Sequence, residues 1–427
     1  MCVRVLGTSA LTVCMCIIST RARGQEASGA RLGFMGIGVA TTANPALFGK
    51  RYTEAYLTQP NVMGDLWRGP LRLTGTLNFE GYTLARGELN AGIYGESYVD
   101  RRHPHTLVHE AMLSLRTPKA RGVRASLSAG KGFTPYGTDD PMMRPLVKYP
   151  VNHHHAQIIE RVVAVGALSY GDPISGRGAA LEYGVFNGDE PLSPFTGPRW
   201  SRFGDSHAAR LTVSPRSGIE AQVSRAFVKS PGIVQGGAFD HTQTSASVRY
   251  AGSRAYGLVE VARTDEGTSA ERAFRYESAL AEGSATWRGA VLAARMESTE
   301  RPESERLLDP FRTANGHIDF QIIGVTRWRI ATVAITAPAL SVGRFRGSSL
   351  SRLAPFIEVA RANAVARRRP AVFEPSEFYG NSTQWSFSAG LRMHVGTMRT
   401  RMGRYGVLDA GRSSGGAHAG HDMGRMR

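Results

Sequence analysis

The chain has 427 residues and a formal net charge of +17, from 52 Lys and Arg residues against 35 Asp and Glu residues. Such a basic balance is typical of nucleic-acid-binding proteins, but an export signal at the N-terminus takes this chain away from nucleic acid and disfavours that class. No other apolar run is long enough for a transmembrane helix, so a mature chain that enters a membrane must do so as a closed β-barrel.

Residues 1–24 have the parts of a cleaved signal peptide. Arg4 supplies the positive region, residues 5–20 form an apolar stretch, and Ala22-Arg23-Gly24 places small residues at the two positions that a signal peptidase reads. The stretch is shorter than the roughly 20 residues that span a bilayer, which disfavours a membrane anchor. Cleavage before Gln25 removes all 3 cysteines, so we predict a mature protein without disulfides or thiol chemistry.

Residues 25–69 do not show the pattern of the later chain. A glycine-rich opening is followed by ANPALFGKRYTEAYLTQPNVMGDLW. We predict an N-terminal extension or plug here. One extra strand at residues 31–40 is the alternative, and it would change which side of the membrane each loop faces.

Residues 70–395 consist of short segments in which apolar and polar residues alternate. In residues 383–395, every second side chain from Trp385 to Val395 is apolar, and the intervening positions from Gln384 to His394 are polar or glycine. About 16 such segments are bounded by Gly, Pro, Asp or Asn, as hairpins require. We therefore predict an all-β fold, a transmembrane antiparallel β-barrel of about 16 strands (14 to 18 fit the length), in a bacterial outer membrane.

Three short motifs lie in order between residues 88 and 190. They are Gly132-Phe133-Thr134-Pro135-Tyr136-Gly137 after a strand, Glu160-Arg161 at the start of the next strand, and Phe186-Asn187-Gly188 at the end of a third. In these motifs the chain resembles the phosphate-selective porin family of the O/P type. The resemblance implies a 16-stranded, often trimeric, anion-conducting barrel. The lysine-rich constriction of that family has no counterpart that can be aligned in this sequence, so the resemblance does not imply phosphate selectivity.

Residues 134–157 are too long for a hairpin turn and too polar for lipid, so we predict a loop that folds inward and narrows the pore. Lipid cannot host the basic excess, which must lie in the lumen, at the rims or in loops, and a basic lumen favours anions. The predicted pore-lining residues are Lys131, Arg144, Lys148, Arg161, Arg101 and Arg102. An arginine bias that merely reflects genome composition is the alternative.

Residues 396–427 are polar and rich in Gly, Arg and Met, and we predict a disordered tail. Charge reversal at Arg399 and Arg401 is accordingly expected to change selectivity little, because a solvated segment is screened. The end of the tail mixes imidazole with thioether in a set that suits copper, formed by His418, His421 and Met423. A flexible polar end without metal is the alternative. A second histidine cluster, His153 to His155, has no ligand spacing.

The predicted function is a channel for passive diffusion of small, mainly anionic solutes, without a cofactor. Its expected partners are the lipid bilayer and lipopolysaccharide of the outer membrane, with a homotrimer implied by the resemblance and no nucleic acid. A structural barrel, a copper-handling barrel and an outer-membrane hydrolase are the alternatives. Against catalysis, the sequence contains no nucleophile elbow, HExxH motif, P-loop or dinucleotide fingerprint.

Overall fold

The computed structural model of the protein describes residues 28–45, 49–83, 106–138, 141–147, 149–151, 160–174, 176–189, 195–197, 199–231, 238–304, 322–345, 348–367, 373–399 and 401–407. These residues form two short α-helices, Glu80–Thr83 and Pro375–Phe378, and 17 β-strands. In chain order the strands are β1 (Gly29–Asn44), β2 (Tyr52–Arg68), β3 (Leu71–Asn78), β4 (Val108–Arg116), β5 (Val123–Phe133), β6 (Glu160–Gly171), β7 (Gly178–Phe186), β8 (Ser206–Arg216), β9 (Ile219–Val228), β10 (Asp240–Ala251), β11 (Ala255–Gly267), β12 (Arg272–Trp287), β13 (Ala290–Ser304), β14 (Ile322–Thr336), β15 (Leu340–Phe345), β16 (Ser348–Ala366) and β17 (Thr383–Gly396). Within the described ranges, no helix is long and apolar enough to cross a membrane.

The strands form one closed antiparallel barrel. Apart from β14 and β15, each strand pairs with its neighbour in the chain, and β1 pairs with β17 from Gly33 opposite Gly396 to Asn44 opposite Trp385. The short β15 continues β14 along the same partner, β16, so the 17 described segments make a ring of 16 strands. Closure leaves no unpaired edge, which is what a sheet in lipid requires. The predicted barrel and its strand number are confirmed.

The two ends of the barrel differ in the length of their connections. At one end the hairpins are tight, as at residues 69–70, 217–218 and 288–289, whereas residues 79–107 and 134–159 connect strands at the other end. Arg288 and Gly289 both have positive φ angles, 49° and 81°, as a type I′ hairpin turn requires. The first and last strands also begin and end at the short-turn end. In outer-membrane barrels this end faces the periplasm.

The alternation of each strand separates an apolar outer face from a polar inner face. Val223 and Val259 on the outer face are 52% and 57% exposed, while their inward neighbours Gln222 and Glu260 are 3% and 1% exposed. The exposed apolar face is the surface that hydrocarbon covers. A closed barrel with this outer face belongs in a bacterial outer membrane, as the sequence predicts.

The N-terminal region is part of the barrel wall and not an extension or plug. The structure has two strands there, β1 and β2, where the prediction allowed one at most. The pattern was hidden because inward positions of β1 are apolar: Ile37 and Val39 pack inside the barrel against Val147 of the inward loop. A strand that is apolar on both faces shows no alternation.

The prediction of a disordered tail is wrong for residues 397–407. The described part of this segment follows β17 directly, and residues 399 and 401–407 are buried inside the barrel, where Arg399, Arg401 and Arg404 are 6%, 2% and 2% exposed. Charged groups of this kind are buried only when they are paired. Residues 408–427, like the predicted signal peptide at residues 1–24, lie outside the described residues.

Candidate pore and its occupants

The connection between β5 and β6 enters the barrel and contacts the wall beyond its own strands. The amide of Gly137 donates to Ser224 Oγ on β9 at 2.9 Å. The carbonyl of Gly137 accepts a hydrogen bond from Arg210 Nη1 on β8 at 3.3 Å and another from the side-chain amide of Gln222. The first part of the loop is therefore held by inward-facing side chains of β8 and β9.

The loop then continues across the lumen to the opposite wall. Its amides at Val147 and Val151 donate to Glu358 Oε2 at 2.8 Å and to Glu297 Oε2 at 2.7 Å. Glu297 lies on β13, which is eight strands from β5 in the ring of 16 and thus diametrically opposite. The loop spans the whole bore and is fixed by carboxylates that accept backbone N–H groups, a charge-assisted and therefore strong type of hydrogen bond.

Arg144 is the charged side chain that the loop brings to the far wall. Its Nη2 lies 3.4 Å from Glu260 Oε2 on β11 and donates to Thr138 Oγ1 at 2.7 Å. Thr138 Oγ1 in turn donates to Glu260. The side chains of Arg144 and Glu260 are 3% and 0% exposed. The predicted constriction residue thus carries a charge that is compensated by the wall.

The C-terminal segment, residues 397–407, is the second occupant of the lumen. Arg401 forms a two-pronged ion pair with Glu220, with both N–O distances at 3.0 Å. Arg404 bridges two carboxylates, Glu182 at 3.1 Å and Glu220 at 2.9 Å. Arg399 pairs with Glu110 and lies 3.9 Å from Asp65. Three arginines of one short segment are therefore bound by four carboxylates of the barrel wall.

Tyr405 fixes the same segment to the strand that carries the Gly-x-Phe motif. Its hydroxyl donates to Glu110 Oε1 at 2.6 Å and accepts from the amide of Phe133 at 3.1 Å. Burial, and next the Glu110 carboxylate, raise the pKa of Tyr405 well above its usual value, so the hydroxyl stays a neutral donor. Gly132 makes this approach possible, because a Cβ at that position would overlap the Tyr405 hydroxyl.

The segment reverses the charge balance of the part of the wall that binds it. We call Asp65, Glu110, Glu182 and Glu220, with the three arginines of the barrel that pair with them, the tail-binding wall; these arginines are Arg31, Arg72 and Arg210. Three cations and four anions give the wall alone a balance of −1. With Arg399, Arg401 and Arg404 bound, the balance becomes +2.

Among the predicted pore-lining residues, Arg161 faces inward and Lys131 faces outward. Arg161 lies two residues before the inward-facing Val163 on β6, so its side chain also faces inward. Its Nε donates to the Gly188 carbonyl at 3.3 Å. Lys131 shares the face of Leu127, which is 52% exposed. Its ammonium group pairs with Glu160, which also contacts His109 Nδ1 at 2.7 Å. Glu160 and Lys131 thus pair with each other on the wall.

The other predicted site residues lie outside the described residues. They are Arg101, Arg102, Lys148, His418, His421 and Met423, together with the second histidine cluster at residues 153–155. In the described ranges, no group of three or more His, Cys, Asp or Glu side chains is placed to hold a metal ion. The copper and histidine hypotheses therefore stay predictions.

The sequence analysis placed Arg399 and Arg401 in a solvated tail and gave no pore role to any member of the tail-binding wall. Part of the tail-binding wall could have been predicted from the sequence of β9. Glu220 and Gln222 lie at the polar positions of an alternating strand, and a carboxylate on the inward face of a barrel needs a cationic partner when it is buried. Nothing local indicated that the partner lies about 180 residues away, in the tail.

No protein-family model matches this chain, and no curated protein matches its sequence. Several solved structures are weakly similar to it over most of its length. An anion-selective porin from Comamonas acidovorans has a TM-score of 0.49 and 9% identity, over 87% of this chain and 100% of that chain. OprB of Pseudomonas putida has a TM-score of 0.48 and 9% identity, over 87% and 94%. The in-vitro folded trimer form of OmpT, an outer membrane protein of Vibrio cholerae, has a TM-score of 0.46 and 10% identity, over 86% and 100%. At these values the likeness adds nothing to the barrel already described. The chain is a closed barrel of 16 strands with an apolar outer face, in a bacterial outer membrane.

Proposed function

We propose that this protein is an outer-membrane channel for passive diffusion of small solutes and that it favours anions. The observation that carries the proposal is the loop at residues 134–151, which crosses the bore between opposite walls and is held there by polar contacts. A loop of this kind inside a closed barrel narrows a pathway to a constriction of defined size and charge. Selectivity then follows from the charged groups that face the constriction.

The anion preference is supported by charge on two levels. The whole chain carries +17. Inside the barrel, the tail-binding wall with its bound arginines has a balance of +2, and Arg161 adds an inward-facing guanidinium group on β6. Walls of low dielectric focus the field of such charges along the pathway and raise the local concentration of anions.

A structural barrel is the second candidate, and the filling of the lumen favours it. Inward-facing Glu358 and Gln384 are both 0% exposed and Ser388 is 2% exposed. The cavity between the bound arginines and Ser114 on β4 has a volume of about 10 Å³. This is room for about one water molecule. A barrel that stays filled in this way would conduct little or nothing.

Planar-bilayer recording of the purified protein in a salt gradient separates the two candidates. We expect stepwise conductance and a reversal potential of the sign that anion preference gives. Arg161→Gln should move the reversal potential towards zero, since it removes an inward charge. The matched control is Arg225→Gln, because Arg225 is exposed on the outer face of β9. Absence of conductance from correctly folded protein would favour the structural barrel.

Homotrimer formation and contact with lipopolysaccharide remain part of the proposal. Chemical cross-linking of the protein in its native membrane tests the first. Co-purification of lipopolysaccharide with the extracted barrel tests the second.

A further inference from the structure

The tail-binding wall has the chemistry of a guanidinium receptor. Arg401 meets Glu220 through two parallel N–H···O contacts of 3.0 Å, the geometry in which the planar fork of arginine matches a carboxylate. Arg404 spans Glu182 and Glu220 and also donates to Thr212 Oγ1 at 2.8 Å. The chain's own arginines thus show that the wall accepts guanidinium groups at several adjacent positions.

The segment that carries these arginines is separate from the barrel. β17 ends at Gly396 and completes the ring with β1; the amide of Thr397 still donates to the Leu32 carbonyl of β1 at 3.0 Å, but the segment from Met398 onward is not part of a strand. Inside the lumen the segment is bound through its arginines, Tyr405 and Met402, which packs in an apolar cluster with Phe133. The part of the segment after Thr397 can therefore leave the wall without breaking the pairing of β17 with β1, and it remains tethered at the short-turn end.

The ion pairs of the segment are strong but replaceable. The side chains of Arg401 and Arg404 are each 1% exposed and that of Glu220 is 7% exposed. Much of the attraction between such buried ions offsets the cost of removing them from water, so the net stabilisation is far smaller than the contacts suggest. A tether gives the bound segment an effective concentration in the millimolar range. A free ligand with the same groups can compete when its affinity is adequate.

We propose that the tail-binding wall is a binding surface for guanidinium-bearing solutes, such as arginine-containing peptides, and that residues 397–407 occupy it as a competing segment. The predicted effect on conductance rests on the proposed channel function. The binding of the peptide does not depend on it. When the segment leaves, the wall changes from a balance of +2 to −1. The vacated lumen then favours cations, and a guanidinium solute that reaches it from the short-turn end finds the four carboxylates unpaired with the tail.

The test uses the full chain with Arg399→Gln, Arg401→Gln and Arg404→Gln, which keeps the length of the tail and removes its charges. A fluorescent peptide of residues 397–407, TMRTRMGRYGV, is titrated into this variant and into the wild type in detergent, and binding is followed by fluorescence anisotropy. We expect the variant to bind the peptide at least about tenfold more tightly than the wild type, whose own tail competes. The same peptide with its three arginines changed to glutamine should bind more than about 100-fold more weakly, since hydrogen bonds between charged groups are lost.

A peptide with lysine in place of the three arginines separates guanidinium recognition from charge alone. We expect weaker binding than with arginine, because an ammonium group cannot form the two-pronged contact. In bilayers, the triple variant should show larger conductance and cation preference, and the arginine peptide should reduce both from the short-turn side. Where the triple variant fails to fold, Arg401→Gln alone serves, with a smaller shift in the same direction.

Equal binding of the peptide to variant and wild type, or equal binding of the arginine and glutamine peptides, would overturn the inference. Failure of the proposed channel gives a different result: specific peptide binding without conductance in any variant. Conductance without specific peptide binding would leave the channel in place and remove the guanidinium surface.

Discussion

Replacing Glu220 by glutamine should release the C-terminal segment from the lumen. Glu220 accepts three hydrogen bonds from the segment, two from Arg401 and one from Arg404, at 2.9 to 3.0 Å. Glutamine has nearly the same shape but is neutral, and only one of its two terminal atoms accepts hydrogen bonds. The two guanidinium groups then lose a charge that they shared, while the rest of the wall is unchanged.

The expected loss follows from burial. Both arginines are 1% exposed at the side chain, so solvent screening does not diminish the effect. Breaking a buried ion pair by removing one partner costs about 3 to 5 kcal/mol. The amide oxygen that the substitution leaves as an acceptor favours the lower end of this range. At about 1.4 kcal/mol for each tenfold change, the undocked state should become roughly 100-fold more populated.

Limited digestion with trypsin measures this population, because the enzyme cleaves after arginine and the segment carries Arg399, Arg401 and Arg404. When closing is faster than cleavage, the rate follows the population of the open state. We expect cleavage at these three sites, read by mass spectrometry, to be roughly 100-fold faster in Glu220→Gln than in the wild type. The matched control is Glu277→Gln, since Glu277 is exposed on the outer face of β12. Equal cleavage rates in Glu220→Gln and wild type would refute the reasoning.

Three other perturbations test the placement of single side chains and of the whole barrel. Gly132→Ala should displace Tyr405 and speed tryptic cleavage of the tail, whereas Gly166→Ala, which has open space at the added Cβ, should not. Lys131→Gln should leave ion selectivity unchanged because its side chain lies on the outer face of the wall, in contrast to Arg161→Gln; an equal shift in both would contradict the placement. The purified barrel should migrate faster unboiled than boiled on a detergent gel, and equal mobility with recovery from the soluble periplasm would contradict the membrane barrel.

The sequence predicted strands well wherever lipid and water face opposite sides of the wall. In β9 and β17 the two environments select opposite side chains at alternate positions, so the period of 2 is visible without any structure. The same argument failed for β1. Its inward positions Ile37 and Val39 contact a loop and not water, so tertiary packing removed the contrast on which the pattern depends.

The tail could not be predicted by local reasoning at all. Residues 397–407 have the composition of a solvated segment, and their burial depends on partners such as Glu110, Glu182 and Glu220, which are 181 to 295 positions away. No propensity or periodicity encodes a contact at that separation. The inward loop was easier, because its length and polarity excluded both a hairpin turn and lipid.

This difference changes what the basic composition of the chain means for selectivity. A net charge counts Arg399, Arg401 and Arg404 as free cations, whereas the structure pairs each of them with a carboxylate. The field in the lumen then depends on whether these pairs are formed. In the proposed channel, the wall with the segment bound carries +2 and would favour anions, whereas the same wall with the segment released carries −1 and would favour cations. On this proposal, the contribution of the tail-binding wall to selectivity depends on whether the segment is docked, and a selectivity measured in one state of the tail does not describe the other.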